Sequence, residues 1–371
     1  MTLKTRSTLT EIAGRGLNRR TFVAGTATAL AASSALLAAP AIAQARSIKI
    51  GSYGGYFEDS FKKHVYPAFT EATGITVESV TQPNSADWLI TMQQAAAAGN
   101  VPADISLYGP DTMIKTTRIG GLLQPLNTGM IKNVANLASE FIYEDSSGVT
   151  GVGAMGWFTS MVINPNEVET PASWGEFWDT DRFESSLGMS KRYNGGLLDI
   201  VAATFFDGIT TLDSEDGIMA CLEKVAELKP NVALWWSAES QMEQQMKNED
   251  VIGGMYYHDV AGLMAADGFP IASIFPKEGN PVSFGCWSLS EGSTKADEAA
   301  EFISYSCDPA TQALMSRMIG TAPLVAQSMT DLTDEEFSAV SGSPQIQMNY
   351  LAYIDNETFM KDAWDRMLAS G

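Results

Sequence analysis

The sequence predicts an α/β protein of two lobes, with mostly parallel sheets and helices on both faces. Three observations carry this. Strand-like and helix-like segments alternate along the chain, the pattern of parallel strands joined by crossover helices. The 326 residues after position 45 are too many for one small core. Apolar residues make up 45% of the chain and charged residues 18%, a globular composition.

Residues 1–45 stand apart as a leader. Arg19 and Arg20 form a twin-arginine pair, with Phe22 two residues on, and a mild Ala-, Gly- and Thr-rich stretch follows. It closes on Ala43-Gln44-Ala45, an A-x-A cleavage pattern. The apolar stretch is short, broken by small and polar residues, and ends at Pro40, which argues against a membrane anchor. No cysteine sits at the cleavage site, so the expectation is twin-arginine export and a free periplasmic protein.

The remaining elements follow in order. Residues 48–50 read as a buried strand and 52–56 as a Gly- and Tyr-rich turn. An amphipathic helix then carries Phe57, Phe61, Val65 and Phe69, and Gly74 stops it. "ITVESV" is the next strand, completing a right-handed parallel unit. "WLITMQQAAAAGN" is a helix and "ADISLYG" a strand. "VGAMGWFTSMVINPNEV" is extended, β-branched and aromatic, and predicts a strand leaving the first lobe. "TPASWGEFW" predicts a helix with a capping box, Ser173 as N-cap and Glu176 three residues on. "SLGMSKRYNGGLLDIVAATFFDG" reads as strand, loop and helix, and "VIGGMYYHDVAGLMAADG" as strand then helix. "IASIFPKEGNPVSFGCWSLSEGS" is the return crossing, and two helices follow it.

The formal charge is −21, and cleavage of the leader removes five basic residues and one acidic one. So acidic a chain disfavours nucleic acid and anionic membrane surfaces as partners. Only two histidines occur, His64 and His258. No H-E-x-x-H, G-x-S-x-G, P-loop or G-x-G-x-x-G is present, so the sequence offers no cofactor, metal or catalytic motif. His258 beside Asp259 is no triad without a placed nucleophile. Cys221, Cys286 and Cys307 lack metal-ligand spacing; Cys286 and Cys307 can either pair or stay free.

Five stretches in this order resemble the periplasmic solute-binding proteins of ABC importers, in particular the spermidine/putrescine branch. They are "IKIGSYGGYFEDSFKKHVYPAFTEATGITVE", "PADISLY", "PASWGEFWD", "FPKEG" and "KADEAAEFISYSCDPATQALMSRMIGTAPLV". The resemblance implies the two-lobed type II periplasmic-binding fold with a ligand cleft between the lobes. It also implies hinge closure over a small-molecule ligand and delivery to an inner-membrane ABC permease, by a monomer that is not an enzyme. The lobes expected are 46–156 for the first and 157–282 for the second. Residues 283–325 return to the first lobe, and the lobe carrying the helices of 326–371 is left open.

The resemblance places the ligand site at Ser52, Tyr53, Tyr56, Asp111, Trp157, Lys191, Arg192, Tyr193, Asn194, Tyr256, Tyr257, Asp259 and Trp287. The aromatics of the polyamine branch fall on Tyr53, Tyr56 and Tyr256. Its loop carboxylates do not: 191–195 holds no acid, and its late Trp-x-Asp pattern becomes Gly285-Cys286-Trp287. Like charges about 4 Å apart cost roughly 4 kcal/mol at an effective dielectric near 20. A polycation beside Lys191 and Arg192 is therefore disfavoured if "SKRYNGG" faces the cleft. Arg192 suits a carboxylate, phosphonate or sulfonate, with Gly195 and Gly196 offering backbone N–H groups. The expected ligand is a small anion or a zwitterion. Alternatives left open are a polyamine, Fe(III) held by Tyr256 and Tyr257, an enzyme on this scaffold, and an ordinary solvated turn at "SKRYNGG".

Overall fold

The computed structural model describes residues 46–370, position 84 and the side chains of Tyr56 and Ala86 excepted. The predicted leader lies outside the described residues. The strands are β1 (Ser47–Tyr53), β2 (Thr76–Gln82), β3 (Ile105–Tyr108), β4 (Leu123–Gln124), β5 (Ile142–Asp145), β6 (Gly148–Ile163), β7 (Leu187–Ser190), β8 (Val232–Trp236), β9 (Gly253–Tyr257), β10 (Ala272–Ile274), β11 (Asn280–Ser290) and β12 (Gln345–Gln347). The main path runs β2-β1-β3-β11-β6-β9-β7-β8. β2-β1-β3 and β9-β7-β8 are parallel triplets, as the strand–helix alternation predicts. The two crossing strands, β6 and β11, run antiparallel to each other and to the triplets they join.

β6 is the long extended segment that the sequence predicts. Its first part pairs with β11, Val152 to Phe158 against Trp287 to Val282. Its second part pairs with β9, Thr159 to Ile163 against Tyr257 to Gly253. Two main cores flank these crossings. One gathers Ile48, Phe61, Phe69, Trp287 and Phe302, with a satellite around Trp88 and Met113. The other gathers Phe177, Leu198, Met242, Tyr256 and Tyr353. Two helices near the C-terminus, Tyr350–Asp355 and Glu357–Ala369, bury Tyr353, Met360 and Trp364 in this second core.

Two local readings change. Phe57, Phe61, Val65 and Phe69 recur every four residues, a spacing that drifts off one face of a 3.6-residue helix. A π-helical turn at Phe61–Val65 absorbs the drift, and Phe61, Val65 and Phe69 are all buried. After Ser173 the chain forms only a 3-10 turn, Trp174–Trp178. Ser173 Oγ accepts from the Gly175 N–H at 3.1 Å and donates to Glu278 Oε1 at 2.5 Å. Glu278 of "FPKEG" is thus tied back to the entry of the second half. All three cysteines are free and buried.

Asp199, in the helix Leu197–Phe205, fixes the C-terminal segment from inside. It is fully buried; Oδ1 accepts from the Asn349 N–H at 2.8 Å and Oδ2 from the Tyr353 hydroxyl at 2.5 Å. Burial outweighs these bonds and pushes its carboxyl up to about 6. A raised carboxyl binds its proton more tightly folded than unfolded. Its contribution is therefore full below about pH 4 and is lost as pH rises through about 6. Asp199→Asn can still accept from Asn349 and donate to the Tyr353 oxygen. Urea unfolding should show the variant gaining on the wild type between pH 4 and 7, by up to about 3 kcal/mol. A difference that stays flat across that range would show that Asp199 is ionised without penalty.

Candidate functional site

A cavity of about 910 Å³ opens at the carboxyl ends of both parallel triplets. This is where α/β sheets place ligands. The first half contributes Tyr53 from β1, Gln82 from β2, and Asp111 and Lys115 from the helix Pro110–Ile119 after β3. The second half contributes 191–195 after β7, Ser237 and Glu239 after β8, and Tyr257 and Asp259 at the end of β9. Trp157 and Thr159 of β6 and Ser283 of β11 form the floor. The C-terminal helices close the remaining side with Tyr350, Tyr353, Glu357, Lys361 and Trp364.

The "SKRYNGG" loop is held by its backbone. The Lys191 N–H donates to the Trp236 carbonyl at 2.8 Å, and the Lys191 carbonyl accepts from Trp364 Nε1 at 2.9 Å. The Arg192 N–H donates to Ser190 Oγ at 3.2 Å, and the Gly195 N–H to the Arg192 carbonyl at 3.1 Å. That last bond uses the Gly195 donor that the sequence reading reserved for an anion. Gly196 caps the following helix at φ 97°, a conformation that favours glycine. Among the described residues, neither the Lys191 ammonium nor the Arg192 guanidinium has a side-chain partner. Both residues are exposed.

Arg192 sits close enough to act on phenols of both halves. Burial pushes the pKa of Tyr53 and Tyr257 up, so their phenols resist ionisation, and the Arg192 charge opposes that rise in each. Tyr257 also feels Glu239 and Asp259, whose charges add to the rise. Burial pushes Asp259 up to about 7, with the Glu239 charge adding to the rise. Asp259 Oδ1 is buried without a hydrogen-bond partner among the described residues. Glu239 is raised as well, by burial and then by Glu243.

Nine of the sequence-predicted residues line this cavity: Tyr53, Asp111, Trp157, Lys191, Arg192, Tyr193, Asn194, Tyr257 and Asp259. Tyr56 opens a short helix, and its side chain lies outside the described residues. Three predicted residues lie elsewhere. Ser52 is fully buried behind Tyr53, because neighbours on a strand face opposite sides. The same alternation sends Tyr256 into the second core, where its hydroxyl donates to the Glu239 carbonyl at 3.1 Å. Tyr256 and Tyr257 therefore cannot converge on one Fe(III). β11 carries a register shift between Gly285 and Cys286. Beyond it Trp287 packs on Phe61 and Phe302, and its Nε1 donates to Ser306 Oγ at 3.0 Å.

The sequence reading missed Phe57, Glu239, Tyr353 and Trp364 in the wall. Glu239 had a findable signal, since it opens a helix after β8 as Asp259 does after β9. Contacts also span the mouth of the cavity. Lys115 Nζ pairs with Glu357 Oε1 at 2.7 Å, and Arg118 Nη1 with Asp355 Oδ1 at 2.5 Å. Asn194 Nδ2 donates to Asp111 Oδ2 at 3.5 Å.

Comparison with known proteins matches this architecture. The profile of the bacterial extracellular solute-binding proteins covers residues 65–343. The gamma-aminobutyric acid-binding protein of Pseudomonas aeruginosa is 23% identical over 295 residues, 77% of this chain and 79% of that one. The Atu4243-GABA receptor superposes with a TM-score of 0.72 at 20% identity, covering 88% of this chain and 98% of that one. The spermidine/putrescine-binding protein PotD of Streptococcus pneumoniae gives 0.71 at 17% identity, covering 87% and 99%. Among the described residues no helix is long and apolar enough to cross a membrane. The chain belongs to the bacterial extracellular solute-binding protein family.

Proposed function

We propose that the protein captures a small zwitterion, with an amine and an acid on one short apolar body, in the cleft between its lobes. The carrying observation is that one cavity holds both an exposed, unpartnered Arg192 and the carboxyl groups of Asp259 and Glu239, with Asp259 Oδ1 unbonded among the described residues. The acid end of the ligand meets Arg192, which can grip it in a bidentate way. The amine end meets the carboxylates, and Tyr53, Phe57, Trp157 and Tyr257 cover the body between. Two relatives named for gamma-aminobutyric acid support this class.

The protein acts as an exported, periplasmic monomer on this reading. Its leader is removed near Ala45, and its lobes close by hinge motion before it docks on a membrane permease. Polyamine binding is the second reading, favoured by Asp111, Glu239 and Asp259 in the cavity lining and by the likeness to PotD. It places an ammonium against Lys191 and Arg192 as well, at a cost of roughly 4 kcal/mol for charges about 4 Å apart.

A thermal-shift panel on the ligand-stripped protein separates the two. Its members are gamma-aminobutyric acid, 5-aminopentanoic acid, butyric acid, butylamine, putrescine and spermidine. A ligand at 100 times its Kd should add about 2.7 kcal/mol, and the amino acids should give the largest shifts. Larger shifts from putrescine or spermidine than from any amino acid would overturn the zwitterion reading.

A further inference from the structure

Asp259 is a carboxyl group without an assigned partner. It opens the helix His258–Ala266 and backs onto Gly320 of the first half, where an added Cβ would lie 3.2 Å from its own. Its Oδ1 is buried and unbonded among the described residues, although the residue lines the cavity. The charged and titratable groups around it come from five elements. Glu239, with Glu243 one turn on, comes from the helix Glu239–Lys247. Tyr256 and Tyr257 come from β9, and Arg192 reaches Tyr257 from the loop after β7. On its own helix, His258 is engaged by Ser273 Oγ at 2.8 Å and the Ala339 carbonyl at 2.5 Å. On the Gly320 side the nearest basic residue in sequence, Arg317, is held by Asp331 and Glu336. Among the described residues no cation is paired with Asp259.

A carboxyl group with a buried, unbonded oxygen, a second carboxylate lining the same cavity and no paired cation among the described residues favours its neutral form. Burial and Glu239 together push Asp259 up to about 7. We propose that Asp259 and Glu239 form an ammonium subsite in which Asp259 holds a proton when empty and releases it when the amine end of a ligand docks. This deepens the zwitterion reading and rests on it for the ligand's other end. The exchange balances: Asp259–COOH and R–NH₃⁺ become Asp259–COO⁻ paired with R–NH₃⁺, and one proton passes to solvent. The net charge of the cleft is unchanged. Below the midpoint of the empty site, affinity for an amine-bearing ligand falls by up to about tenfold per pH unit. A ligand without an amine shows no such slope.

The test has a ligand-free arm and a ligand arm. Carboxyl ¹³C NMR on the intact mature protein should give Asp259 a midpoint near 7, assigned by its absence in Asp259→Asn. Saturating butylamine should lower that midpoint by at least one unit, and Glu239→Gln should lower it without any ligand. Calorimetry with gamma-aminobutyric acid at pH 6, in buffers of different ionisation enthalpy, should read release of close to one proton. Asp259→Asn should release none. A midpoint unmoved by both butylamine and Glu239→Gln overturns the subsite, as does equal proton release from the variant. Failure of gamma-aminobutyric acid to bind counts against the zwitterion reading instead, and the butylamine arm still decides the subsite.

Discussion

Arg192→Ala should weaken binding of an acid-bearing ligand by about 10- to 150-fold, with little change in stability. The range follows from the roughly 1.5–3 kcal/mol of a hydrogen bond to a charged group. The guanidinium has no other partner among the described residues, so its removal leaves no orphaned carboxylate in the protein. Alanine keeps the two backbone bonds that shape the loop, from the Arg192 N–H and to its carbonyl. Arg192→Lys should recover only part of the loss, because a point charge cannot offer two parallel donors. Lys191→Ala should cost less still, since its backbone carries the structural contacts. Calorimetric titration of each variant with the same ligand decides the matter. Unchanged affinity in Arg192→Ala would make "SKRYNGG" an ordinary solvated turn and remove the basis for an anionic end on the ligand.

The second large effect lies at Trp364, which is buried in the second core, forms an edge contact with Trp235, and holds the Lys191 carbonyl through Nε1. Trp364→Ala should cost about 3–5 kcal/mol of folding stability, the range for truncating a large buried aromatic. The same change frees the loop that carries Arg192. Trp364→Phe separates the two roles, because it keeps most of the packing and deletes only the indole donor. It should cost about 1 kcal/mol in denaturant unfolding and still lower ligand affinity several-fold. If Trp364→Phe binds ligand as the wild type does, the tryptophan is core packing alone and the loop holds its shape without it.

Much of this molecule is legible in its sequence. The alternation of elements foretells the parallel triplets. The extended, β-branched and aromatic run "VGAMGWFTSMVI" foretells a strand leaving the first lobe, and β6 is that strand. The loop after β7 stands out by composition, since a basic pair and two glycines are conspicuous in so acidic a chain, and the resemblance places it at the cleft. The failures have physical causes. Sequence adjacency does not say which of two strand neighbours faces a cleft, hence Ser52 named beside Tyr53 and Tyr256 beside Tyr257. A register shift within β11 is invisible in a run of apolar residues, so Trp287 was placed on the wrong side. The return of the last helices over the cavity depends on long-range burial of Tyr353 and Trp364, which no local pattern encodes.

The ion pairs across the cavity mouth make the medium a participant in binding. Lys115–Glu357 and Arg118–Asp355 join the two halves with side chains one-third to one-half exposed. Exposed pairs of this kind are worth at most about 1 kcal/mol each, up to fivefold in an equilibrium. Mobile ions screen them over about 8 Å at physiological ionic strength. Added salt should therefore weaken the two links that tie the C-terminal helices to the helix after β3, and dilute surroundings should strengthen them.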